Sequence, residues 1–352
     1  ACYRPLSRIC RQDNAMRLAN AMPPLAPVLR LQVLEPSVET ELRQSMPKPG
    51  APSDRTSKQV GLLYEDNPYP RWSKCVLSRQ NPRGAAGFAA TLAQQVPGTS
   101  LPDAPDATRK ILIAGCGTGQ HSIQTASRYP EVSVLAIDLS LNSLAYAKRK
   151  TGELGLTNIE YRQHDILQLE SLTERFDLIE SIGVLHHLAD PLVGWRILRK
   201  RLKPRGLMRI GLYSAIAREC LKPFQDQARA RLQPPTLEEI RLLRARVRPV
   251  FADKPGLALL HSPDFYSASG CRDMFFHVME HCYSTSRIAA ELGELELDFL
   301  GFQLPNAAVA ERYRARFPDD PAMIHLGNWH RFELENPWLF QGMYIFWAQA
   351  KT

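Results

Sequence analysis

Apolar positions follow two regimes along this chain. Before residue 58 they are sparse and irregular among prolines, arginines and small polar residues, with helical spacing only in short stretches such as Pro36–Gln44. From residue 109 short apolar runs alternate with amphipathic stretches of helical period. Lys110–Ala114, Val132–Ile137, Ile159–Gln163, Phe176–Ser181 and Leu207–Tyr213 read as strands, with helices at 120–129, Ser140–Leu154 and Pro191–Leu202. Unbroken apolar strands between helices predict an α/β, Rossmann-like fold, a parallel sheet with helices on both faces. Residues 215–290 break the alternation with a mostly helical stretch. It resumes at Leu295–Leu304 and closes with the aromatic-rich Met343–Ala350, which suits a late antiparallel strand.

This pattern divides the chain into five parts. Residues 1–57 read as a tether or the tail of an upstream region, and 58–104 as an arm and helix (Ala85–Gln95) covering the site. Residues 105–214 form the ligand-binding core, 215–290 a helical insert or lid, and 291–352 the strands and helices that complete the sheet. With 352 residues and 44% apolar content the chain can bury a sizeable core. No apolar run is long enough to span a bilayer, and no secretory leader is recognisable. The seven cysteines are scattered, odd in number and free of CxxC pairs, which excludes a disulfide scaffold and suits a reducing cytoplasm. The net charge of +8 is concentrated at 196–205 and 229–248. Such patches attract nucleic acid or acidic partners, or are simply solvated helix faces.

The first strand runs into Gly115-Cys116-Gly117-Thr118-Gly119, where the backbone must turn sharply and let a ligand approach without a Cβ in the way. A dinucleotide fingerprint needs glycine at position 120, which is Gln120, so a nicotinamide or flavin reading weakens. Asp138 ends the second strand, where a carboxylate can accept hydrogen bonds from two ribose hydroxyls or cap the next helix. After the third strand, Asp165 and Ile166 suit an adenine amino group and the face of its ring. Nucleoside chemistry thus gathers at neighbouring strand ends, where open sheets bind ligands.

On these residues, and on Phe176-Asp177-Leu178-Ile179 and Val184-Leu185-His186-His187-Leu188, residues 109–213 resemble a class I S-adenosylmethionine-dependent methyltransferase. The resemblance implies a seven-stranded sheet and S-adenosylmethionine as cofactor. It implies contacts from Gly115, Cys116, Gly117, Gly119, Gln120, Asp138, Leu139, Asp165, Ile166 and Ser181. The pattern departs at Ile113, where the family often carries an acid, and Gln120 or His121 could substitute. Tyr64-Glu65-Asp66-Asn67-Pro68-Tyr69-Pro70-Arg71-Trp72, with Ser269-Gly270-Cys271-Arg272-Asp273 and Glu335-Asn336-Pro337, resembles bacterial methyltransferases that often follow tetratricopeptide repeats. This extends the likeness over residues 58–350 and implies an upstream repeat domain as a partner.

The sulfonium cofactor already makes its methyl group electrophilic, so the protein mainly aligns a nucleophile. His186, after the fourth strand, is the candidate base for a protonated acceptor; it also reads as loop packing. Tyr64, Tyr69, Arg71, Trp72, Arg272, His277 and His281 are the candidate acceptor contacts. Glu180-Ser181-Ile182-Gly183 lacks the Asp/Asn-Pro-Pro-aromatic motif expected for transfer to DNA bases. His277-Val278-Met279-Glu280-His281 matches HxxEH, but metal catalysis needs a further ligand, and no metal is assigned. The acceptor expected is a polypeptide or medium-sized metabolite. An RNA methyltransferase and an inactive cofactor-binding module are the alternatives.

Overall fold

The computed structural model describes residues 6–47, 54–77, 87–96, 98–99, 101–229, 235–251 and 260–351. Seven strands form one sheet: β1 (Lys110–Ala114), β2 (Ser133–Asp138), β3 (Ile159–Gln163), β4 (Phe176–Ile182), β5 (Leu202–Leu212), β6 (Leu297–Phe302) and β7 (Tyr344–Ala350). Their order is β3-β2-β1-β4-β5-β7-β6. Pairings among β1 to β5 are parallel, while β7 runs antiparallel to both β5 and β6. The antiparallel strand expected at the end of the chain therefore lies inside the sheet, with β6 at the edge.

Alternation within each strand explains the layers. Ile111 and Ile113 face a core shared with Val134, Ala136, Leu144 and Phe88, while Leu112 and Ala114 face one shared with Ile137, Trp195, Ile210 and Trp329. Each fully buried aliphatic side chain contributes roughly 1.5–3 kcal/mol relative to exposure. A strand apolar at every position thus fits only where helices cover both faces.

Residues 6–47 depart from the expected tether. Gln12–Ala21 and Glu35–Ser45 are helices, and the segment has a small core of Ala15, Leu29 and Val33. The prolines misled. Pro36 lies in a first helical turn directly after the π turn Arg30–Leu34, so its missing N–H disturbs little there. Arg149 of the helix Leu141–Glu153 reaches Glu35 at 3.1 Å and Glu39 at 2.8 Å, docking the segment on the domain. In the arm, Ala85 and Ala86 of the expected helix lie outside the described residues, and the helix spans Phe88–Gln95.

The insert leaves and rejoins the domain at one point. Ala215 N–H donates to the Tyr283 carbonyl at 2.7 Å, and Tyr283 N–H donates to the Tyr213 carbonyl at 2.8 Å. Between them the helices Leu237–Phe251 and Ala268–Phe276 share a core of Ile240, Val247, Phe265 and Phe275. Thr285–Glu294, partly within the expected insert, packs Ile288 and Leu292 on the sheet instead. Among the described residues no helix is long and apolar enough to cross a membrane.

Candidate functional site

The carboxyl ends of β1 to β5 open into a cavity of about 290 Å³. Its walls are Gly115, Cys116 and Gly117 after β1, Asp138 and Leu139 at β2, Asp165 and Ile166 after β3, Gly183, Val184 and His187 after β4, and Tyr213 after β5. Tyr64 and Tyr69 of the arm close the front. Its volume lies at the low end of small-molecule sites, which begin near roughly 300 Å³.

The glycine turn is built from left-handed backbone: φ is +81° at Gly115, +52° at Gly117 and +82° at Gly119. Gly119 itself faces away from the cavity; a Cβ there would sit 2.5 Å from the Ala147 Cβ, so it serves helix packing. Asp138 Oδ2 accepts the Gly117 N–H at 2.8 Å and Oδ1 accepts the Ser140 N–H at 2.9 Å. The helix cap is Ser140, whose hydroxyl accepts the Ser143 N–H at 3.0 Å, so Asp138 is not spent on capping. Burial pushes the Asp138 carboxyl up, against those backbone donors. Asp165 accepts the Leu167 N–H at 2.9 Å and starts a short 3-10 turn, which holds it at the cavity wall.

The arm is tied to this turn. Trp72 Nε1–H donates to the Thr118 carbonyl at 3.1 Å, the Thr118 hydroxyl donates to the Pro70 carbonyl, and the Tyr146 hydroxyl donates to the Trp72 carbonyl. Glu65 accepts the Ser140 hydroxyl at 2.9 Å and the Asn142 N–H at 3.0 Å.

Several expected contacts lie elsewhere. Trp72 is buried behind the glycine turn against Ile123 and Tyr146, and Arg71 is exposed; neither lines the cavity. Ser181 is fully buried and donates to the Ala114 carbonyl at 3.1 Å, joining β1 to β4. Arg272 donates to Asn67 and, at 3.1 Å, to the Pro235 carbonyl, linking insert to arm. His186 is fully buried away from the cavity, and the wall position belongs to its neighbour His187. His277 and His281 do not line the cavity; His281 N–H donates to the His186 carbonyl at 2.8 Å.

The HxxEH stretch lacks the helix that its metal reading requires, because Ala268–Phe276 ends before His277. His187, Asp273 and His277 nonetheless bring ligand atoms within 4.8 Å of one another. The two imidazoles stack with centroids 3.5 Å apart and planes at 21°. A metal bound in the plane of one ring would then lie out of the plane of the other, so the pair suits neutral stacking. His187 Nδ1 meets the Met279 carbonyl at 2.7 Å; a carbonyl only accepts, so Nδ1 carries the proton and Nε2 keeps its lone pair. Burial, then His277 and His186, hold His187 well below the usual histidine range.

Two features were missed. Tyr213 forms a wall of the cavity from just beyond β5. Glu180, the register partner of Ile113, places a carboxylate on the strand beside the position where the family often has one. It meets His121 Nε2 at 3.0 Å, Arg209 at 3.1 Å and the Thr125 hydroxyl at 2.7 Å. Burial opposes its charge, but His121, then Arg209 and Thr125, outweigh it and hold the carboxyl well below the ordinary range. An acid in the middle of a strand that the sequence predicts to be buried is the signal that could have found it.

Residues 111–206 match the family model described as a methyltransferase domain. An uncharacterized protein of Synechococcus is 32% identical over 201 residues, 55% of this chain and 48% of that protein. A ubiquinone biosynthesis O-methyltransferase of Cereibacter sphaeroides is 32% identical over 141 residues, 40% of this chain and 53% of that protein. The chain thus spans about half the length of these relatives. Among solved structures, PKMT2 from Rickettsia typhi in complex with AdoHcy shares the fold at a TM-score of 0.55 and 18% identity, covering 79% of this chain and 54% of that one. Residues 111–206 therefore carry a methyltransferase domain, set in a sheet whose fold the PKMT2 structure shares.

Proposed function

We propose that this protein transfers the methyl group of S-adenosylmethionine to a polypeptide or medium-sized metabolite received between the cofactor cavity and the helical insert. The observation that carries this reading is a second cavity of about 220 Å³ that shares Tyr69, Tyr213 and Asp273 with the first. Its other walls include Arg218, Asp264 and Met274 of the insert. An acceptor there would lie next to the cofactor where the two cavities adjoin at these three residues, and in-line transfer requires such direct approach.

The residues present fit the cofactor. Gly115 and Gly117 leave the turn open for its amino-acid part, Asp138 suits the ribose hydroxyls, and Asp165 with Ile166 suits the adenine. When bound, S-adenosylmethionine supplies an electrophilic methyl group on a sulfonium sulfur. The arm excludes water with Tyr64 and Tyr69, and the His187 lone pair is available to take a proton from the acceptor side.

Transfer to RNA finds less support. Arg196 pairs with Glu294, Lys200 with Glu170 at 3.0 Å and Lys203 with Asp177 at 2.7 Å, so the 196–205 cluster is largely committed within the fold. The test is incubation of the full chain with methyl-labelled cofactor and fractionated extract. A labelled polypeptide or metabolite is expected. Tight cofactor binding without any labelled species would instead indicate an inactive module.

A further inference from the structure

The two cavities meet at Tyr69, Tyr213 and Asp273, and the charges around that junction already have partners. Asp273 accepts the Tyr64 hydroxyl at 2.6 Å, Tyr69 is directed to Asp264, and Asp264 also accepts the Ser262 hydroxyl at 3.4 Å. Arg218 lies 3.6 Å from Glu280. Tyr213 is the exception. Its ring is held, with the Arg218 guanidinium 3.3 Å from its centroid and the His186 ring centroid at 4.2 Å. Its hydroxyl has no hydrogen-bond partner among the described residues. Burial pushes that hydroxyl up, against the pull of Arg218, so it stays a phenol with a proton to donate. His187 shares the cofactor cavity with Tyr213, their ring centroids 6.0 Å apart and their planes at 76°. The His187 Nδ1 proton is spent on the Met279 carbonyl, and Nε2 has no hydrogen-bond partner among the described residues. One side of the cavity thus offers an unused proton and the other an unused lone pair.

We propose that the methyl acceptor is a hydroxyl group and that Tyr213 orients it, donating a hydrogen bond to its oxygen while the acceptor's own proton points at His187 Nε2. This rests on the methyl-transfer reading and adds its substrate class and a catalytic residue. A hydroxyl carries one proton and two lone pairs. The proton goes to His187 Nε2, and one lone pair receives the Tyr213 hydrogen bond. The other lone pair forms the new O–C bond while the methyl C–S bond breaks and its electrons remain on sulfur. The products are a methyl ether, S-adenosylhomocysteine and a proton on His187 that passes to solvent. Other acceptors satisfy this pair less well. A carboxylate brings no proton for His187, whose lone pair would face the carboxylate oxygens. A neutral amine has a single lone pair, which the methyl takes, so none remains for Tyr213. A hydroxyl also adds no charge to a junction whose charges are already paired.

The test uses the full chain with methyl-labelled S-adenosylmethionine. The acceptors offered are benzyl alcohol, catechol and a peptide with a single serine, with benzylamine and benzoate as counterparts, and then fractionated extract. Label is expected on oxygen, in a methyl ether that resists mild alkali. Whether a small alcohol or the peptide carries it tells a metabolite from a polypeptide. Tyr213→Phe keeps the ring beneath Arg218 and should slow labelling roughly 100-fold, the cost of a misplaced acceptor. Its affinity for S-adenosylhomocysteine should be unchanged. His187→Asn keeps a donor for the Met279 carbonyl but removes Nε2, and should do the same. Having two variants guards against misfolding of one. Label on nitrogen, or in an alkali-labile ester, would overturn the hydroxyl assignment while leaving methyl transfer standing. Tyr213→Phe labelling at the parent rate, or losing S-adenosylhomocysteine affinity in step with the rate, would remove Tyr213 from the acceptor's path. Failure to bind the cofactor, or binding with no labelled product from any source, would instead overturn the underlying reading.

Discussion

Asp138 and Gly117 are joined by a 2.8 Å hydrogen bond, so the acid that ends one strand fixes the turn that follows its neighbour. The carboxylate organises the turn as well as facing the cavity. Asp138→Ala should therefore weaken cofactor binding by about 10- to 100-fold, from the loss of charge-assisted hydrogen bonds of about 1.5–3 kcal/mol. Calorimetric titration of a variant shown to be folded checks this, and undiminished affinity would remove Asp138 from the site.

The Gly115 backbone admits no side chain. Its φ is +81°, and a Cβ would fall 2.3 Å from a Val184 methyl. Gly115→Ala should cost about 2–4 kcal/mol from overpacking and left-handed strain together. Adding Val184→Ala should relieve the overpacking but leave the strain. A thermal melt in which the double variant recovers full stability would show that the strain is negligible.

Glu180 should set the acid limb of stability. Its folded carboxyl titrates below its unfolded value, so its contribution is present above the ordinary carboxylate range and disappears as pH falls through and below it. Glu180→Gln should cost about 3–5 kcal/mol at neutral pH, because it leaves Arg209 without its carboxylate. The gap between variant and parent should close on acidification. Denaturant melts across pH measure it, and a gap that does not depend on pH would contradict the assignment.

Arg149 anchors the N-terminal helices through Glu35 and Glu39. Arg149→Ala should raise amide exchange in residues 12–45 roughly 10- to 100-fold, equivalent to about 1.5–3 kcal/mol of local stability. Exchange in β1 and β4 should stay as it was. A uniform rise over the whole chain would mean that this segment and the domain open together.

The strands and the glycine turn were legible because buried parallel strands and left-handed turns leave local marks, namely unbroken apolar runs and closely spaced glycines. Asp138 was legible for the same reason, sitting at the end of one such run. Which histidine of the pair at 186–187 faces the ligand depends on how one short 3-10 turn is rotated, and spacing does not encode that. Trp72 reads as a ligand wall by its chemistry, yet its N–H is satisfied behind the turn. The partnership of Glu180 with His121 and Arg209 joins three separate elements, visible only after β4 has settled between β1 and β5.

The strap from Tyr64 to Trp72 is fastened to the turn at Thr118 and to the helix behind it through Glu65. A fragment trimmed to residues 111–206 would retain the glycines and both acids. Tyr64, Tyr69 and Tyr213, which line the cavity, all lie outside that stretch. For this chain, the stretch that family recognition detects is smaller than the stretch that makes an enclosed reaction chamber.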